Sequence, residues 1–67
     1  MKAAEKEIRA LYEENKQYFI SIAEASPSWR ELNDADFRFL AEKYDRLNGQ
    51  MDLQGDIIYI MQNMWYI

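Results

Sequence analysis

Residues 52–67 read D-L-Q-G-D-I-I-Y-I-M-Q-N-M-W-Y-I, and whether this run is helix or strand decides the fold. As a helix it starts on Asp52, a good N-cap, and places Ile57, Ile60, Met61, Met64 and Trp65 on one face, with Ile58, Tyr59 and Tyr66 covering much of the rest. As a strand it draws on the preference of isoleucine and aromatics for extended backbone. A strand needs a partner, and only residues 17–23 (Q-Y-F-I-S-I-A) could supply one. Three of the four methionines follow Gly49, and Met is a good helix former. The expected fold class is therefore all-α: a small three-helix domain with a long first helix, a short turn, a second helix and an apolar third. The alternative is α+β, with residues 17–23 paired to residues 57–66.

Upstream of this run, Asn48-Gly49 marks a helix stop, because glycine readily takes the left-handed conformation that ends a helix. The pattern before it predicts a helix over residues 34–48. Phe37, Leu40, Tyr44 and Leu47 recur at three and four, and Arg38, Glu42 and Arg46 alternate in charge on another face. Two starts compete. Ser28 followed by Glu31 has capping-box spacing and predicts one or two short turns around Trp29, while Asn33 followed by Asp36 offers a second cap. Pro27 separates all of this from the first helix. That helix is expected over residues 2–24. Met1, Ile8, Asn15 and Ile22 stand seven apart, as do Ala4, Leu11, Tyr18 and Ala25, which together form a heptad seam. Asn15 holds an inward position of the seam, where an asparagine can fix register between paired helices, or simply lie at the edge of an intrachain seam.

A chain of 67 residues makes one small domain, here residues 1–67. With ten aromatics it is too apolar for a disordered tail. The absence of Cys and His removes disulfides, thiolate nucleophiles, the usual general base and the commonest transition-metal ligand. Residues 2–16 are dominated by Lys, Glu, Arg and Ala, which predicts no secretory leader and a cytoplasmic protein. The apolar run over residues 57–67 is well short of the roughly 20 residues of a bilayer-spanning helix. Twelve acids against eight bases give a formal charge of -4, and nothing basic follows Arg46. Direct nucleic-acid binding is therefore not expected, nor is attraction to a membrane.

The motifs that carry chemistry fail on spacing. In a calcium-binding loop built on a central glycine at position six, Gly49 would make Tyr44 the first ligand and Gly55 would make Gln50 the first. Neither register works. The carboxylate pairs Glu13-Glu14 and Asp34 with Asp36 read as a solvated face and a first helical turn, since so small a domain has little room for a cleft between them. No phosphate-binding loop is present. No enzyme, cofactor or metal is expected.

What remains is a surface. A negative charge suits a basic patch on another protein, and Asp34, Asp36 and Asp45 are the candidate acids. Two amphipathic helices can hardly enclose a third that is apolar nearly all round. Ile57, Ile60, Met61, Met64, Trp65 and Tyr66 are therefore the candidate interface, being of the types found at interface centres. The expected function is a noncatalytic protein-binding module. It would be a small regulator or inhibitor of the kind phages and plasmids carry, acting on host machinery such as a defence or nucleic-acid-handling complex. The competing expectation is a structural or adaptor subunit that self-assembles through its apolar third helix, and on either reading the chain is expected to form a homo-oligomer when its partner is absent.

Overall fold

A computed structural model describes residues 3–64 as four helices: α1 (Ala3–Glu14), α2 (Lys16–Ala23), α3 (Asp34–Arg46) and α4 (Leu53–Met61). The fold is all-α, and residues 17–23 and 57–61 are helical rather than paired strands. α1 packs on α3, α2 packs on α4, and α3 closes on α4. Met1, Lys2, Trp65, Tyr66 and Ile67 lie outside the described residues.

The long first helix expected over residues 2–24 is two helices, and Asn15 is the break. Its backbone leaves helical geometry at φ -119°, ψ 21°, while its side-chain amide donates to the Leu11 carbonyl at 2.9 Å. Asparagine competes in this way with the backbone's own ladder, which is why it is a poor helix-interior residue. The expected seam fails with the helix. Ala4, Ile8 and Tyr12 are buried before the break, and Phe19 and Ala23 after it. Leu11 and Ile22 are only partly buried, and Tyr18 is 52% exposed. Spacings of four follow a straight helix of 3.6 residues per turn, whereas a strict heptad repeat needs supercoiling to stay on one side. Tyr12 and Phe19 stack across the break with ring centroids 6.0 Å apart, and Tyr12 meets Phe37 edge-on at 5.6 Å. These three rings join α1, α2 and α3.

Below the rings lie Leu40, Ile57, Ile60 and Met61, each essentially inaccessible to solvent. Burying a side chain of this kind contributes about 1.5–3 kcal/mol relative to leaving it exposed. Polar ties fix the helices around this core. Lys43 Nζ reaches Asp56 Oδ2 at 2.7 Å between α3 and α4, and Arg9 lies over the Phe37 ring and reaches Asp34 at 2.9 Å between α1 and α3.

The helix ends follow local chemistry. The capping box that forms is Asn33 with Asp36, each side chain accepting from the other's backbone N–H at 3.0 and 2.9 Å. The expected turns started by Ser28 and Glu31 are not helical. Glu31 instead accepts from Lys16 at 2.5 Å. α3 stops before Asn48 and Gly49, which take φ of 53° and 79°, and the Gly49 N–H closes the turn on the Tyr44 carbonyl at 2.8 Å. Asp52 caps α4 as expected, accepting from the Gly55 N–H at 3.1 Å. α4 does not run on through the apolar stretch. It ends at Met61, and Asn63 turns left-handed at φ 60°.

Candidate functional site

α4 presents a second stripe to solvent. Asp52, Gly55, Tyr59 and Gln62 recur at three, four and three, so they stand above one another on one face of the helix. Together with Ile58 and, from α2, Ile22, they line an open groove of about 330 Å³. Tyr59 is 51% exposed, and Ile22 and Ile58 are half-buried. Tyr18, also half exposed, stands one turn before Ile22 on the same stripe of α2. Gly55 keeps the floor of the groove low, and its missing side chain also permits the cap. A methyl group on it would approach within 2.8 Å of the Asp52 carboxyl carbon.

One end of the groove is braced by a polar cluster between α2, the segment over residues 24–33, and the end of α4. Gln62 donates from its side-chain amide to the Ile22 carbonyl, and Ser26 Oγ donates to the Gln62 carbonyl, both at 3.3 Å. Asn63 donates to the Ser28 carbonyl and accepts from Arg30 Nε at 3.1 Å, while the Arg30 backbone N–H donates to the Met61 carbonyl at 2.7 Å. The Arg30 guanidinium then reaches both carboxylate oxygens of Asp36 at the start of α3. Burial alone would raise the Asp36 carboxyl, but the guanidinium and the Asn33 N–H outweigh it and hold the carboxyl below the usual aspartate range. The bond to Glu31 raises the Lys16 ammonium above the ordinary lysine value.

The residues expected to form an interface separate into three groups. Ile57, Ile60 and Met61 lie in the core, facing α2 and α3, so the stripe read as an interface is largely the stripe that folds the domain. Met64 is 49% exposed. Trp65 and Tyr66 fall outside the described residues. The acids do not act as one surface either. Asp36 is buried against Arg30, Asp34 is exposed but held by Arg9, and Asp45 is exposed near the end of α3. Sequence reasoning missed that Asp52 and Ile22 line one groove. The available signal was the spacing of Asp52, Gly55, Tyr59 and Gln62, a stripe interrupted by a glycine on a helix whose other side is continuously apolar.

Among the described residues, no cluster of three or more carboxylates is placed to hold a metal ion, and no helix is long and apolar enough to cross a membrane. Comparison with known protein families, with curated proteins and with solved structures returned no match.

Proposed function

We propose that the protein is a noncatalytic protein-binding module, a small regulator or inhibitor that occupies a surface on a larger protein through the face shared by α2 and α4. The observation that supports this reading is the groove itself. Tyr18 and Tyr59 are half exposed, Ile22 and Ile58 are only partly covered, and Met64 follows at the end of α4. Tyrosine and methionine beside a concave apolar strip are enriched at interface centres, tyrosine because it offers large area at low ordering cost and methionine because it adapts to an irregular surface. Acidic residues elsewhere on the surface would steer encounter with a basic partner and add less to holding it.

The test is affinity purification of the tagged chain and of a Tyr18→Glu/Tyr59→Glu variant from native cells, with circular dichroism confirming that the variant folds. A stoichiometric heteromeric complex present for the first and lost for the second is the expected result. A complex that ignores both substitutions, or none at all, contradicts the reading. Self-assembly through the same half-exposed tyrosines is the second reading, and it predicts a homo-oligomer that the same two substitutions dissociate.

A further inference from the structure

The groove has a chemical asymmetry that says what would fit it. Its walls are Ile22, Ile58 and the ring of Tyr59, and its charged lining residue is Asp52, exposed at the start of α4 and fixed in place by its bond to the Gly55 N–H. The nearby Asp56 is buried and already neutralised by Lys43, and residues 47–64 contain no basic side chain. A cation entering the groove would therefore meet a positioned carboxylate at one end and the half-exposed ring of Tyr59 further along. An anion would find no countercharge among the lining residues, only the Tyr59 hydroxyl and the Gln62 amide, which already donates to the Ile22 carbonyl.

We propose, building on the protein-binding reading above, that the groove takes a cationic apolar segment of another protein: an aliphatic side chain seated between Ile22, Ile58 and Tyr59, with a Lys or Arg one helical turn away paired to Asp52. Charge complementarity favours such a partner over a second copy. This chain carries a formal charge of -4, and among the described residues Arg9, Lys16, Arg30 and Lys43 are already tied to its own carboxylates. Asp52 and Tyr59 stand seven residues apart, two turns and about 10 Å along the axis of α4. One turn of a partner helix covers about 5–6 Å of that gap, and the long Lys or Arg side chain reaches across the rest.

The experiment uses the full chain, isotope-labelled, with backbone amide shifts followed as two synthetic helical peptides are added. One peptide carries Leu and Lys four residues apart on an otherwise Ala/Gln helix, and the other has Gln in place of the Lys. Asp52→Asn is the informative variant, because asparagine caps a helix as well as aspartate does and so α4 keeps its start while the charge is lost. The expected result is saturable shifts at Ile22, Gly55, Ile58 and Tyr59 with the Leu/Lys peptide. The affinity should fall roughly fivefold with the Leu/Gln peptide, with Asp52→Asn or with raised salt. Equal affinity for the two peptides overturns the proposal, as does the absence of shifts in the groove at millimolar peptide. Shifts produced by protein concentration alone also overturn it, since they place a second copy in the groove. If the native complex is lost with Tyr59→Glu yet unchanged with Asp52→Asn, the protein-binding reading stands and the cationic occupant is refuted.

Discussion

Arg30 and Asp36 form a two-pronged ion pair, with the guanidinium nitrogens 2.6 and 3.1 Å from the two carboxylate oxygens, across the junction where the segment before α3 meets the end of α4. Asp36 is 4% exposed, so a change that removes its partner strands a buried charge. Arg30→Ala is expected to destabilise the domain by about 3 kcal/mol in urea unfolding. Removing the solvent-reached Lys16 to Glu31 pair with Glu31→Gln is expected to change stability far less. Equal effects from the two would show that the Arg30 pair is an ordinary surface contact.

Acid should act through Asp36. Its folded carboxyl lies below the ordinary value near 3.9, so its contribution is complete above about pH 4 and is lost as pH falls through the lower folded value. Unfolding free energies measured from pH 7 down to pH 2 are expected to drop on the acid side, and Asp36→Asn is expected to flatten that drop.

Tyr12 gives a prediction of the opposite kind. Its ring is buried at 2% exposure, but its hydroxyl lacks a hydrogen bond of good geometry, although the Leu32 backbone faces it. Deleting the hydroxyl with Tyr12→Phe keeps both ring contacts and is expected to leave stability unchanged or raise it by about 1 kcal/mol. Leu40→Ala, which leaves a cavity instead, is expected to cost about 2–5 kcal/mol. Burial pushes the Tyr12 phenol above its ordinary value near 10, so wild-type stability falls as pH rises through the folded value. Part of this alkaline loss should disappear in Tyr12→Phe.

Divalent metal should be without effect. Asp45, Asp52 and Asp56 crowd one stretch of sequence, yet Asp52 caps α4 and Asp56 holds Lys43, which leaves them to different structural tasks. Millimolar calcium is expected to leave the melting temperature unchanged. A rise of several degrees that chelator reverses would show that these acids do converge on an ion.

The helical class was legible because α3 and α4 carry both their periodicity and their caps in the sequence, Asn33 with Asp36 for one and Asp52 for the other. The break at Asn15 was less so. An asparagine at an inward seam position reads equally well as a register device and as a helix interrupter, and only the packing of Tyr12 on Phe19 decides between them. The proposed interface was hard to read for a related reason. On a helix as apolar as α4, composition cannot tell the stripe that folds the domain from the stripe left for a partner. Ile57, Ile60 and Met61 look available for a partner in the sequence, and only the packing of the other helices over them shows that they fold the domain. Asp52 announced itself as a cap, and the groove it shares with Ile22 depends on the turn of the chain at residues 24–33, which no local pattern encodes.

The central claim is that the α2 and α4 face meets another protein, and site-specific photocrosslinking in native cells tests it most directly. A photoreactive phenylalanine analogue is placed at Tyr59, and separately at the exposed Glu13 on α1. The account predicts one discrete heteromeric adduct from position 59, lost when Ile22→Glu is added to a chain that still folds, and no matching adduct from position 13. Adducts of equal yield from both positions, or an adduct at position 59 only with a second copy of the chain, would contradict it.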